Sequence, residues 1–186
     1  MPQVPAGGEA ELILAVQSRD DRRAFTELVS RHQSQVRAVL RRLTRGDTML
    51  ADDLAQETFV LAWRNIAKFR FEARFSTWLY RIAFNAWQSE ARKRREIAMD
   101  LDPESPPPGA QGTFEEMPDV VSRIDLERAM ATLSDGERAA LAACYYADLS
   151  HDEAARVLDM PVGTVKTHIL RAKAKLKVRL TGKETT

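Results

Sequence analysis

Val165, Ile169, Ala172 and Leu176 recur at i, i+4, i+7 and i+11, which places them in one stripe along a helix of 3.6 residues per turn. The remaining faces of that stretch hold Lys166, Thr167, Leu170, Arg171 and Lys173. The same period runs through most of the chain, and β-type alternation is almost absent. The pattern predicts helices over residues 9–18, 21–44, 48–68 and 75–95, then over 122–132, 135–147, 151–158 and 162–180. Polar punctuation agrees with these limits. Asp20 and Asp21 offer an N-cap for the second helix, Gly46 with Asp47 breaks the chain before the third, and Ser76 or Thr77 is placed to cap the fourth. SDGE at 134–137 and SHDE at 150–153 have the form of capping boxes, in which a hydroxyl and a Glu three residues later satisfy each other's free amides. The expected fold class is all-α.

The two helical runs are separated by EIAMDLDPESPPPGAQGTFEEMPDVV, residues 96–121, with five of the eight prolines, seven acids and no base. Such a composition buries too little apolar surface to offset the entropy of ordering, so it predicts a flexible linker. The chain is therefore expected to divide into a domain at 9–95, the linker at 96–121 and a second domain at 122–180, with no internal repeat.

Composition adds to this picture mainly through the distribution of charge. The net charge of +1 conceals seven Lys/Arg and no acid over residues 160–183, and a run of four cations at Arg92–Arg95. Two basic regions around an acidic middle predict nucleic-acid contact in two places. The 44% hydrophobic content suits globular structure. No apolar run reaches the roughly 18–20 residues of a membrane span. The opening MPQVPAGGEAE lacks the basic and apolar regions of a secretory signal, so a cytoplasmic protein without membrane insertion is expected. The single cysteine, Cys144, allows no internal disulfide and reads as a small buried hydrophobe. His32, His151 and His168 lack a metal-ligand spacing, and no nucleophile–base pattern, phosphate loop or carboxylate pair is present. No metal, cofactor or catalysis is expected.

Two stretches carry the chemistry. SHDEAARVLDMPVGTVKTHILRAK, residues 150–173, reads as a short capped helix, a turn at Leu158 to Pro161 and a longer cationic helix. Those lengths suit a helix-turn-helix whose second helix enters the DNA major groove. Arg and Lys there suit guanine, and an apolar side chain suits the thymine methyl. FSTWLYRIAFNAWQSEARKRR, residues 75–95, holds five aromatics. Leu79, Ile82, Ala83 and Ala86 form an apolar face widened by Tyr80, Phe84 and Trp87, and core packing accounts for Phe84 and Trp87. A second stripe, Trp78, Arg81, Asn85, Gln88 and Arg92, is polar, and Arg70 and Arg74 interleave with Phe69, Phe71 and Phe75 before it. Cations to neutralise phosphates beside ring faces suit an unpaired strand. Stacking supplies about 1–3 kcal/mol per base, and extruding a base costs a few kcal/mol. The two are of comparable size, so this helix is suited to holding a duplex locally open.

ADDLAQETFVLAWRNIAKF, FEARFSTWLYRIAFNAWQSEARKRR and LSHDEAARVLDMPVGTVKTHILRAKAKL resemble the signature segments of bacterial extracytoplasmic-function (ECF) sigma factors, in the family's order and over both pieces. The resemblance implies two small helical domains, region 2 at 9–95 and region 4 at 122–180. It implies a factor that binds core RNA polymerase, directs it to minus-ten and minus-thirty-five promoter elements and promotes melting. By the same resemblance Asp52, Asp53, Gln56 and Glu57 meet the clamp coiled coil of the polymerase, with its flap as a further contact. Leu54, Leu61, Ala62 and Ile66 pack inward, Trp63 lies near the core, and Leu50 stands where the family often has an acid. Arg70, Phe71, Arg74 and Phe75 would form the pocket for an extruded minus-ten base, continued by Trp78, Arg81, Asn85, Gln88 and Arg92. Thr164, Lys166, Thr167, Leu170, Arg171 and Lys173 would meet the minus-thirty-five element. Promoter DNA and an anti-sigma factor are implied partners. A linker of 26 residues reaches about 85–90 Å, more than the roughly 50 Å between DNA contacts one and a half turns apart, and is expected to thread the basic channels of the polymerase. The alternative reading is a stand-alone helix-turn-helix regulator.

Overall fold

Polar caps cut the chain into helices close to where its pattern predicts them. The computed structural model describes residues 8–100 and 129–181, with side chains over 8–97 and 129–179. Helix α1 (Glu9–Arg19) ends where Asp20 turns left-handed. Asp21 then caps α2 (Arg22–Leu43), its carboxylate accepting from the amides of Arg23 and Ala24 at 2.9 and 3.1 Å. Arg45 and Gly46 both take positive φ, and Asp47 caps α3 (Thr48–Asn65) through the Leu50 amide at 3.0 Å. The predicted helix over 48–68 finishes as a 3-10 turn, Ile66–Lys68.

Helix α4 (Phe75–Asp100) departs from expectation at both ends. Neither Ser76 nor Thr77 caps it, because the helix has already begun at Phe75; the Thr77 hydroxyl is buried without a hydrogen-bond partner. It also continues five residues beyond the predicted end at 95, since Glu96, Ile97, Ala98 and Met99 contain no breaker and three of the four are good helix formers. The remainder of the expected linker, and the expected helix over 122–132 apart from its helical residues 129–131, lie outside the described residues.

The second piece contains α5 (Asp135–Tyr145), α6 (His151–Leu158) and α7 (Val162–Thr181). Both capping boxes form. Ser134 Oγ accepts from the Glu137 amide at 3.3 Å while Glu137 accepts from the Ser134 amide at 2.9 Å, and Ser150 with Glu153 repeats the exchange at 3.2 and 2.9 Å. No strand occurs among the described residues.

One apolar cluster joins Ile13 and Val16 of α1, Leu28 of α2, Ile66, Phe69, and Phe75 and Leu79 of α4. A larger one runs from Val36, Leu40, Leu54, Phe84 and Trp87 into Ala143, Leu158, Val165 and Ile169. Each large side chain so enclosed contributes about 1.5–3 kcal/mol. The two pieces thus share an apolar seam in which α4 lies against α6 and α2 against α5. The predicted stripe of α7 is inward, with Val165, Ile169 and Ala172 buried and Leu176 half-buried.

Polar ties lock the second piece internally. Arg138 is enclosed, donating to the carbonyls of Met130 and Leu133 at 3.3 and 2.9 Å, with Asp135 at 3.4 Å. Burial, and secondarily the nearby Arg45 charge, pulls its pKa down to about 10 despite Asp135. Lys175 reaches across from α7 to Glu137 at 2.7 Å. Gly136 permits the close approach of α7, because a Cβ there would lie 2.9 Å from His168 Nε2.

Candidate nucleic-acid and polymerase interfaces

The helical period divides α3 into two faces. Ala51, Leu54, Ala55, Thr58 and Ala62 are buried, Leu61 and Trp63 are half-buried, and the Trp63 ring meets Phe25 edge-on at 4.9 Å. Asp53, Gln56 and Glu57 point into solvent on the opposite side. Asp52 differs from them. It is half-buried and its Oδ1 lies 3.4 Å from Arg37 Nε, an ion contact without hydrogen-bond geometry. Leu50 packs against the larger core while its amide takes the Asp47 cap, so a carboxylate at this position would lose hydration. Two residues outside the predicted set join the exposed face. Met49 is 79% and Val60 48% exposed, and Met49, Asp53, Gln56 and Val60 recur at i, i+4, i+7 and i+11. Their spacing was available in sequence, but apolar residues at helical period read as core until burial is known. The result is an acidic and amide face with an exposed apolar residue near each end.

The loop before α4 is held in an unusual shape. Phe71 has φ of 58°, in the left-handed region, where a side-chain-bearing residue is strained by about 1–3 kcal/mol. The Phe69 ring lies 5.0, 5.5 and 5.4 Å from those of Phe71, Phe75 and Trp78. Phe75 is 1% exposed, so it forms the floor of this box and presents no free ring face. Phe71 and Trp78 are half-buried, and Arg70 and Arg74 are exposed above them. Along α4, Arg81, Asn85, Gln88 and Arg92 are all exposed, whereas Leu79, Ala83 and Ala86 are buried and Ile82 half-buried. From Trp78 to Arg92 the stripe is about 21 Å long at 1.5 Å per residue.

On α7, the predicted Thr164, Lys166, Thr167, Leu170, Arg171 and Lys173 are all exposed. The Thr167 hydroxyl donates to the Gly163 carbonyl at 2.8 Å, which leaves its oxygen as an acceptor. Lys173 Nζ sits 5.0 Å from the centre of the Tyr145 ring, a cation–π contact that engages it within the protein. Leu170 is 70% exposed although α7 has a buried stripe available.

Cations and acids meet across the seam. Arg74 Nη2 lies 3.4 Å from both the Glu153 carboxylate and the Asp148 carbonyl. Asp135 receives Arg95 at 3.2 Å and Arg45 at 3.5 Å, and the Arg42 guanidinium lies 4.8 Å over the Tyr146 ring. Burial acts to raise the Glu153 pKa, but the Ser150 amide and hydroxyl together with Arg74 outweigh it and hold the carboxyl below the usual glutamate value. Burial raises the Tyr80 phenol, with Arg74 opposing. A crevice of about 200 Å³ opens at the junction, lined among others by Trp87, Gln88, Arg92, Asp135 and Met160.

The histidines have separate local roles. His32 Nε2 lies 2.7 Å from Glu9, His168 abuts Gly136, and His151 begins α6 in solvent. Cys144 is half-buried, and burial pushes its thiol pKa up, away from reactivity.

Comparison with known proteins matches both pieces. The Sigma-70 region 2 family covers residues 28–97 and the Sigma-70 region 4 family residues 123–176. The chain is 34% identical over 185 residues to the ECF RNA polymerase sigma factor SigM of Mycobacterium tuberculosis, spanning 97% of this chain and 91% of that protein. It is 33% identical over 175 residues to the RNA polymerase sigma-H factor of Pseudomonas aeruginosa, spanning 89% and 90% respectively. Among solved structures, CnrH in complex with the cytosolic domain of CnrY matches with a TM-score of 0.67 at 28% identity, over 94% of this chain and 98% of that one. The sigma factor RpoE with the anti-sigma factor NepR from Bartonella quintana matches with a TM-score of 0.69 at 25% identity, over 84% and 96%.

Proposed function

Because the chain belongs to the extracytoplasmic-function sigma factors of bacterial RNA polymerase, we propose that its exposed faces divide among core polymerase and the two promoter elements. The region 2 piece, residues 9–95, docks on the polymerase clamp through Asp53, Gln56 and Glu57, extended by Met49 and Val60. Asp52 serves at the edge of that face, shared with Arg37. The loop at Arg70 and Phe71 and the stripe of Trp78, Arg81, Asn85, Gln88 and Arg92 capture the unpaired minus-ten strand. Phe75 supports the loop from beneath. The region 4 piece, residues 122–180, lays α7 in the major groove at the minus-thirty-five element, and residues 96–121 connect the two.

The observation that carries this reading is the arrangement of α4. One face is buried, and the other presents a cation-and-amide stripe beginning at a strained aromatic loop. A strand pulled out of its duplex needs both, phosphate neutralisation along its length and ring faces where a base leaves the stack. The chemistry of RNA synthesis belongs to the polymerase, and the factor acts beside it in the cytoplasm. The relative RpoE is held by the anti-sigma factor NepR, and we infer control of the same kind for this chain.

Permanganate probing of unpaired thymines tests the reading, with purified chain, core polymerase and promoter DNA selected by the holoenzyme. Reactive thymines near the minus-ten element are expected only when chain and polymerase are both present. Opening by the chain alone, or an unreactive minus-ten region in the holoenzyme complex, would overturn it.

A further inference from the structure

The base-receiving loop has few holds of its own. Residues 70–73 make no backbone hydrogen bond with the described residues, and Phe71 is held left-handed. A loop with so little local support keeps one shape only if neighbouring elements impose it. The constraint comes from α1, which lies before the matched region 2 segment at 28–97. Gln17 Nε2 donates to the carbonyls of Ile66 and Phe69, both at 2.8 Å, across 49 and 52 residues of sequence. One amide group thus clips the last carbonyls before the loop at its root. A second tie lies at the other end of α1, where Glu9 meets His32 at 2.7 Å and the His32 ring packs edge-on against Phe75 at 5.4 Å. Ile13 and Val16, between the two ties, are buried in the same apolar cluster as Phe69 and Phe75.

We propose that Gln17 is a positioning residue for minus-ten strand capture, fixing the root of the loop so that Phe71 and Arg70 meet an extruded base without prior reordering. This rests on the minus-ten role proposed above for the loop. A ligand that must first order its site binds more weakly by the cost of ordering, so a loose loop lowers strand affinity without touching any contact residue. Gln17→Met tests the clip, because it keeps side-chain length and removes both donors. Gln17→Glu sets a carboxylate against two carbonyl oxygens.

The probe is a fluorescent single-stranded DNA oligomer selected by the parent holoenzyme from a randomised pool. Affinity for this oligomer, affinity for core polymerase and thermal stability are measured for each variant. Gln17→Met is expected to weaken oligomer binding roughly fivefold to tenfold, the worth of one or two lost hydrogen bonds, and Gln17→Glu to weaken it further, with polymerase affinity unchanged in both. Ile13→Val, which loosens α1 without touching the clip, serves as the stability control and should leave oligomer affinity within about twofold. Oligomer binding by Gln17→Met within twofold of the parent overturns the proposal. So does an equal loss in an Ile13→Val variant of matched stability. Phe71→Ala separates the two levels of the argument. If it leaves oligomer binding intact, the loop is not the strand-binding surface and both readings fall. If it weakens binding while Gln17→Met does not, only the positioning role falls.

Discussion

Arg74 Nη2 lies 3.4 Å from Glu153 Oε1, so a residue that the sequence resemblance assigns to the minus-ten pocket is held by the helix-turn-helix of the other piece. While Nη2 is turned to Glu153 and the Asp148 carbonyl, a phosphate can reach only the remaining N–H groups of this guanidinium, beside a carboxylate that repels it. The pair is partly exposed, and such pairs contribute about 0.2–1 kcal/mol. The apolar contacts of Tyr80, Phe84 and Trp87 therefore hold the seam more strongly than the ion pair does.

Glu153→Gln isolates that competition. Glutamine serves at the third position of a capping box, so the start of α6 is preserved while the charge facing Arg74 is removed. The free variant chain should bind a single-stranded oligomer up to about fivefold tighter than the parent. The gain should vanish in the Arg74→Ala background. Equal affinities by fluorescence anisotropy at low salt would show that the pair does not compete with DNA.

Acid should loosen the second piece. Glu153 and Glu137 both sit below the usual glutamate value of 4.5. For Glu137 burial pushes upward, but the Lys175 hydrogen bond, the Ser134 amide and the Lys175 charge outweigh it. A carboxyl whose folded pKa is depressed stabilises the fold fully above its unfolded pKa and loses that contribution as pH falls through the folded pKa. The Tm difference between the parent and Glu137→Gln should therefore be constant above about pH 5 and shrink below about pH 4.5. A difference that persists unchanged down to pH 3 would exclude this coupling.

Much of this architecture is legible in the chain because helices declare themselves locally. Asp21, Ser134 and Ser150 cap where sequence places caps, Asp47 caps α3 at the expected chain break, and the stripe of Val165, Ile169 and Ala172 buries as its period requires. What the sequence hides is set by contacts between distant segments. The Gln17 clip spans about fifty residues, the Arg74–Glu153 pair 79, and neither has a local signature. Phe75 resembles its exposed neighbours in sequence and becomes the floor of the box only because α1 and α2 close beneath it. Met49 and Val60 are hidden in the opposite sense, since apolar residues at helical spacing normally indicate core, yet both are exposed.

The outward face of α3 gives a prediction free of folding effects. Asp53 is exposed and has no ion-pair partner among the described residues, so Asp53→Arg should change stability by less than about 0.5 kcal/mol. Against a basic partner surface the reversal should cost core-polymerase affinity about tenfold or more, because like charges at an interface cost several kcal/mol. Met49→Ala should weaken the same binding by a smaller factor. Asp52→Arg differs in kind, because it also breaks the contact with Arg37 and should lower Tm. Unaltered polymerase binding by Asp53→Arg in a competition assay would remove this face from the interface.

The exposed residues of α7 should separate by role when holoenzyme binding to a duplex minus-thirty-five site is measured across salt concentrations. A phosphate contact adds close to one unit to the salt dependence and acts alike on every sequence. A base contact costs about 1–3 kcal/mol when removed and relaxes specificity at one position. Leu170 bears no charge, and 70% of it is exposed. Leu170→Ala should therefore leave Tm and salt slope unchanged while reducing discrimination at a single base pair. Lys166→Ala should lower the slope by about one unit with specificity intact. Arg171→Ala should do one or the other, which distinguishes groove from backbone. Lys173→Ala should matter least, since Lys173 already lies over the Tyr145 ring. If all four variants bind with parental affinity and slope, α7 does not lie in the groove, even though it carries the exposed cations that a groove-binding helix requires.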